Sequence, residues 1–172
     1  FVENFGAEKS KYDIDMTVEN INNIADEIVL GQGNDKLTVT NDTKYSKVID
    51  GNLGDDTLVI NPYIPEIPEG EEDVQPEISK NIFNFKVNNI ENIALNGDWR
   101  IGENAEITFK DNNGSSKAVN ANPVNLNVNG KLTAEMNNNK GNGDFTTSLD
   151  KITSGNDMTV TAKGGIKYEM GE

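Results

Sequence analysis

Apolar residues in this chain follow a two-residue period more often than a helical one. Short runs alternate between apolar and polar positions or are apolar throughout, and clusters of Gly, Asn and Asp separate them. Short β-branched runs between turn-forming residues are typical of strands. The pattern therefore predicts an all-β chain, with strands at 26–30, 36–40, 56–60, 81–87, 91–95, 105–109, 124–128 and 158–162.

Two pairs of similar stretches indicate that the strands repeat. GQGNDKLTV at 31–39 resembles GNLGDDTLV at 51–59, where Gly33, Asp35 and Leu37 recur as Gly54, Asp56 and Leu58 with an offset of 21 residues. LNGDW at 95–99 resembles VNGKL at 128–132 with an offset of 33. An offset near 20 is typical of one coil of a β-solenoid, and longer offsets indicate loops inserted at corners. We therefore expect residues 1–172 to form a single fragment of a right-handed parallel β-helix.

An antiparallel β-sandwich is the alternative fold. Asn-Gly pairs are good two-residue hairpin turns, and this chain contains them at 96–97, 113–114, 129–130 and 142–143. In a solenoid the same pairs would form corners, because Asn and Gly both tolerate positive φ. The sequence alone leaves both interpretations open.

Composition and charge limit the partners. Only 34 % of residues are hydrophobic and 6 % aromatic, so any core must be thin or elongated. The net charge of −14 argues against nucleic acid or an anionic membrane as a partner. There is no Cys and no His, and no apolar run is long enough for a membrane span. The chain begins at Phe1, and we expect it to be a fragment.

The segment 62–79 departs from the strand pattern. It contains Pro62, Pro65, Pro68 and Pro76 and a run of carboxylates. Proline cannot donate to a ladder, and like charges favour an extended, solvated chain. We expect this segment to be an exposed acidic loop between two coils.

The two Gly- and Asp-containing turns are candidate calcium sites. In the calcium-binding nonapeptide repeat, a Gly-rich turn ending in Asp precedes a short strand and supplies hard oxygen ligands. Here the candidate ligands are Asp35, Asp55 and Asp56, but the glycines are incomplete and neither copy is followed by a second repeat. We expect each Asp mainly to hydrogen-bond its own turn, so that the fold needs no calcium and no other cofactor.

The strings GNLGDDTLVI and VNNIENIALNGDWRIGENAEIT (87–108) resemble the passenger domain of a type V autotransporter. The residues that carry the resemblance are Gly54, Asp55, Asp56, Leu58, Ile90, Glu91, Asn92, Ile93, Gly97 and Trp99. The resemblance covers about half of the chain. It implies a right-handed parallel β-helix on the outside of a Gram-negative cell, usually in an adhesin, with no catalytic residues.

From this we expect a non-enzymatic cell-surface adhesin fragment that contacts a host or bacterial cell-surface protein or glycan, without inserting into the membrane. The alternative is a calcium-binding RTX-like module of a secreted toxin or protease, whose folding would need the metal. A β-helical polysaccharide lyase fits poorly, because such enzymes use clustered basic groups and Arg100 is the only arginine.

Overall fold

The computed structural model describes residues 5–6, 10–19, 27–40, 47–62, 69–70, 81–102, 105–108, 124–138, 145–152 and 158–170. Within these ranges the chain is all-β apart from one 3-10 helix at Ser148–Lys151. In chain order the strands are β1 (Phe5–Gly6), β2 (Asp15–Val18), β3 (Ile28–Val29), β4 (Lys36–Thr40), β5 (Val48–Asp50), β6 (Thr57–Asn61), β7 (Ile82–Phe83), β8 (Lys86–Asn88), β9 (Asn92–Asn96), β10 (Trp99–Ile101), β11 (Glu106–Thr108), β12 (Val124–Asn129), β13 (Leu132–Asn138), β14 (Phe145–Thr147), β15 (Met158–Ala162) and β16 (Ile166–Met170).

The strands form three sheets, and consecutive strands mostly belong to different sheets. Sheet 1 has the order β1-β3-β5-β8-β11, and sheet 2 the order β2-β4-β6-β9-β12-β15. Sheet 3 has the order β7-β10-β13, with β14 and β16 both paired to β13. Every described ladder is parallel except that of β13 with β14. The all-β prediction is confirmed, and the parallel sheets are consistent with a β-solenoid.

The strand registers reproduce the offsets in the sequence. We use "coil" for the stretch of chain between partner residues on neighbouring strands of sheet 2. Leu37 pairs with Leu58, an offset of 21, and Leu95 pairs with Val128, an offset of 33. Trp99 and Leu132 of sheet 3 also pair at an offset of 33. Similar residues in the sequence are therefore direct neighbours across the coils.

The core consists of rows of apolar side chains that run across the coils. Strands of sheet 2 alternate buried and partly exposed residues, so every second side chain points inward. Two rows of sheet 2 are buried with at most 1 % exposure: Leu37, Leu58, Ile93 and Leu126, and Val39, Ile60, Leu95 and Val128. Sheet 1 supplies the row Ile28, Ile49, Val87 and Ile107. The low apolar content is enough because it is concentrated in these rows.

The Asn-Gly pairs within the described residues form corners and not hairpins. Gly97 adopts a φ of 95° between β9 of sheet 2 and β10 of sheet 3, which do not pair with each other. The pair at 129–130 likewise leads from β12 of sheet 2 to β13 of sheet 3. An antiparallel sandwich does not account for these connections. The pairs at 113–114 and 142–143 lie outside the described residues.

The acidic segment 62–79 is an insertion at a corner of the coil stack. Pro62 follows β6, and Asn81 precedes β7. A Cβ placed on Gly97 would have Pro62 Cγ at 3.7 Å and Asn81 Nδ2 at 3.9 Å, so both ends of the insertion lie close together. Glu69 and Gly70 form an exposed turn, and the expectation of an exposed loop otherwise falls on residues 63–68 and 71–79, outside the described residues. With this insertion and the additional strand β7, the offset between β6 and β9 is 35, as in the pair Leu58 and Ile93.

No helix in the part of the chain that the structure describes is long and apolar enough to cross a membrane.

Candidate functional site

Three acidic residues lie at the corners that precede β4, β6 and β9 of sheet 2. Asp35 and Asp56 directly precede β4 and β6, and Glu91 directly precedes β9. The registers of these strands align the three positions on successive coils. Their exposed fractions are 2 %, 0 % and 4 %. We call Asp35, Asp56 and Glu91 the buried acid row.

Each carboxylate of the buried acid row accepts a hydrogen bond from a backbone N–H group of the preceding coil. Ile14 N donates to Asp35 Oδ1 at 2.8 Å, Asp35 N donates to Asp56 Oδ1 at 2.8 Å, and Asp56 N donates to Glu91 Oε2 at 2.7 Å. A buried N–H group without an acceptor costs free energy, and these side chains supply the acceptor where the chain turns. The row therefore joins the coils through hydrogen bonds outside the strand ladders.

Asp35 and Asp56 differ in the second carboxylate oxygen. Asp35 Oδ2 accepts from Gly31 N at 2.7 Å, so both of its oxygens are hydrogen-bonded. One coil later the position of Gly31 is taken by Asn52, which adopts a φ of 66° and donates its N–H to Asp50 Oδ1 at 2.8 Å. Asp56 Oδ2 is fully buried and has no hydrogen-bond partner among the residues that the structure describes.

Burial raises the pKa of two members of the row. The pKa of Asp56 is raised from 3.8 to about 8, mainly by desolvation and in part by the charges of Glu91, Asp35 and Asp55, while the hydrogen bond from Asp35 N–H lowers it. Burial also raises the pKa of Glu91 from 4.5 to about 7, although hydrogen bonds from the backbone of Asp56 and of Glu91 itself lower it. Asp56 is therefore mostly protonated at neutral pH. Since Oδ1 accepts from Asp35, the proton belongs on Oδ2.

The structure brings two of the three calcium candidates together and separates the third. Asp35 and Asp56 are hydrogen-bonded neighbours inside the corners, whereas Asp55 is exposed and accepts from Asn92 Nδ2 at 3.1 Å. Asp35 bonds its own turn through Gly31, as expected, but Asp56 bonds the preceding coil. Within the described ranges no group of three or more His, Cys, Asp or Glu side chains has a geometry that could hold a metal ion.

The space around Asp56 Oδ2 is also small. A Cβ added to Gly51 would lie 2.6 Å from this oxygen, so the glycine backbone covers the open side of the carboxyl group. Calcium takes six to eight oxygen ligands at about 2.3–2.6 Å. Three of the four oxygens of Asp35 and Asp56 already accept backbone N–H groups, which compete with a cation for the same lone pairs.

Trp99 and Arg100 have structural contacts. Trp99 is 2 % exposed and donates from Nε1 to the Asn96 carbonyl oxygen at 2.8 Å, so its ring belongs to the core. Arg100 pairs with Glu135 at 3.1 Å and with Glu169 at 2.7 Å. The two glutamates belong to β13 and β16, so the guanidinium group connects three strands of sheet 3.

Glu91 is the member of the row that the sequence did not identify. It lies in the string NNIENI without a Gly-Asp turn, and its offset from Asp56 is 35 and not 21. The coil is longer because it contains both the segment 62–79 and β7. The available signal was the spacing to the next apolar residue: Glu91 precedes Ile93 by two residues, as Asp56 precedes Leu58.

Comparison with known proteins gives no match to this chain among protein families, curated proteins or solved structures.

Proposed function

We propose that this chain is a segment of a non-enzymatic adhesin displayed on the outside of a Gram-negative bacterium, and that its three sheets wind as a right-handed parallel β-helix. The observation that carries the proposal is the repeated parallel pairing of sheet 2, where β2, β4, β6, β9, β12 and β15 are consecutive neighbours. A stack of this kind makes a stiff, elongated support that can present loops away from a cell surface.

The order of the strands supports the winding. From β6 to β13 the chain contributes strands to sheet 2, sheet 3 and sheet 1 in a repeating order. Each new strand of sheet 2 pairs with the previous strand of that sheet. Parallel strands joined by such crossover connections are right-handed in nearly all known cases. The resemblance of GNLGDDTLVI and of residues 87–108 to autotransporter passengers agrees with this winding.

The insertions at the corners are the segments best suited to partner contact. The buried rows of sheet 2 pack in the core. The insertion after Pro62, by contrast, begins and ends at one corner of the stack. With a net charge of −14, the partner should present a neutral or basic surface, such as a cell-surface protein or glycan.

Attachment of coated beads to cells tests this proposal. Beads carrying the purified chain should bind cultured epithelial cells or bacterial cells more than beads carrying serum albumin do. A matched variant, in which residues 63–79 are replaced by a short Gly-Ser linker, tests whether the acidic segment makes the contact. Circular dichroism melts of both proteins control for folding. Attachment no higher than that of albumin on every cell type and matrix protein tested would contradict the adhesin function.

A further inference from the structure

We propose that the buried acid row is a pH-sensitive element of the fold: the corner around Asp56 is packed for a carboxyl group that carries a proton, and ionisation of that group loosens the contact between neighbouring coils. This inference concerns the stack itself and holds for any function of the chain.

The first support is the surroundings of Asp56. Its side chain is 0 % exposed, Oδ1 has one backbone donor, and Oδ2 has no donor among the described residues. An ionised carboxylate in this position would hold a buried negative charge with one hydrogen bond. A protonated group places a neutral O–H at Oδ2 and removes most of that cost.

The second support is the sign of the neighbouring charges. Asp35 on the preceding coil, Glu91 on the following coil and Asp55 in the same corner are the charged groups that act on Asp56, and all three are acidic. The carboxylate of Asp50, at the end of β5, accepts from Asn52 N and Asn89 Nδ2. Lys36, which directly follows Asp35 in the sequence, has an exposed side chain. No cation compensates the row within the described contacts.

The third support is the contrast with Asp35. Its two oxygens accept from Ile14 N and Gly31 N, so both are hydrogen-bonded. The corner of Asp56 has the same fold but lacks the second donor, because Asn52 directs its N–H to Asp50. Two equivalent corners of the stack therefore differ in the number of backbone donors that they offer to the carboxyl group.

The direction of the pH effect follows from linkage. Because the pKa of Asp56 is higher in the folded than in the unfolded chain, the folded chain binds more protons between these two values. The stabilisation is complete below about pH 4 and is lost as the pH rises to about 8. Glu91 acts in the same direction between its ordinary value and about 7. The stack should be more stable in mild acid than in mild alkali.

This chain is well suited to the measurement, because it contains no His and no Cys. No side chain with an ordinary pKa titrates between about pH 5.5 and 8, so a pH dependence of stability there reports on perturbed groups and the amino terminus.

Urea unfolding of the wild type, Asp56→Asn and Asp55→Asn between pH 5.5 and 8.5 tests the proposal. Asn has the shape of a protonated Asp and cannot ionise, while Asp55→Asn makes the same charge change at the exposed neighbour. The wild-type midpoint should fall as the pH rises. Asp55→Asn should keep most of that slope, because the charge of Asp55 is the smallest of the influences on the pKa of Asp56, and Asp56→Asn should be clearly less steep, with the contribution of Glu91 left below about pH 7. A flat wild-type profile, or an unchanged slope in Asp56→Asn, would overturn the proposal.

A second measurement needs no variant. Carbon-13 NMR of the side-chain carboxyl groups in the wild type should show Asp56 still protonated at pH 6, with a midpoint well above its ordinary value. A midpoint of Asp56 near 4 would contradict the proposal even if Asp56→Asn failed to fold.

Discussion

Leu37 and Leu58, 21 residues apart, are direct partners in the parallel pairing of β4 and β6, and neither side chain is exposed to solvent. The pair is one link of a row that continues to Ile93 and Leu126 on the next two coils. A residue in the middle of such a row contacts apolar neighbours on both sides, so its truncation leaves a cavity that the coils cannot easily fill.

Leu58→Ala should therefore lower the free energy of unfolding by about 2–5 kcal/mol. Val59→Ala is the matched control, because Val59 points outward from the same strand and is half-buried, and it should cost less than half as much. Urea unfolding at constant pH measures both variants. Equal losses in the two variants would show that Leu58 is not in the core.

Gly54→Ala should destabilise the corner between neighbouring coils. Gly54 adopts a φ of 112°, and a Cβ there would collide with the carbonyl oxygen of Gly33 one coil earlier. The expected loss is about 2 kcal/mol or more, from backbone strain and from the displaced coil. Gly70→Ala is the control, since Gly70 has a φ of 97° but no atom within 4 Å of the added Cβ. Gly70→Ala should cost about 1 kcal/mol. If Gly70→Ala lowered the free energy of unfolding more than Gly54→Ala does, the stacking of the two corners would be contradicted.

The sequence was most informative where one coil follows another without insertion. The repeat of Gly33, Asp35 and Leu37 as Gly54, Asp56 and Leu58 predicted the register of β4 and β6, since identical packing positions favour identical residue types. All eight predicted stretches overlap observed strands, because each alternates apolar and polar positions or contains a short apolar run. The stretch 81–87, predicted as one strand, is divided between β7 and β8 of different sheets.

Several of the strands that were not predicted are short or rich in polar residues. Strands β5 and β10 have only three residues, and β16 alternates Ile166, Tyr168 and Met170 with charged residues within a Gly-rich and Lys-rich stretch. The missing hydrogen bond of Asp56 could not be predicted either. It depends on the direction of the Asn52 N–H, which is a property of the folded corner and not of a residue pattern.

Replacing residues 63–79 with a short Gly-Ser linker should change the melting temperature by only a few degrees. Pro62 and Asn81, close to the two ends of the segment, both lie near Gly97, so a short linker together with Lys80 can connect them without moving β6 or β7. Loop length itself has a small effect on stability, about 0.6 kcal/mol for each doubling. A thermal melt followed by circular dichroism measures the effect, and a large drop would show that the segment packs on the coils.

Calcium should not stabilise the fold. The oxygens of Asp35 and Oδ1 of Asp56 accept backbone N–H groups, and Asp55 faces solvent. A true site would add about 2.7 kcal/mol at a hundredfold excess of calcium over its Kd. Thermal melts in EDTA and in millimolar calcium should therefore agree within a few degrees. A rise in melting temperature with calcium that Asp35→Ala or Asp56→Ala abolishes would favour the RTX-like module instead.

Interstrand NOEs between β6 and β9 show whether neighbouring coils pair in parallel with a fixed register. In the observed register Leu58 pairs with Ile93, and Ile60 pairs with Leu95. Backbone NOEs in the labelled protein should therefore connect Leu58 with Ile93 and Ile60 with Leu95, so that the residue numbers increase together. NOEs that connect Leu58 with Leu95 and Ile60 with Ile93 would indicate antiparallel strands and would contradict the coil stack.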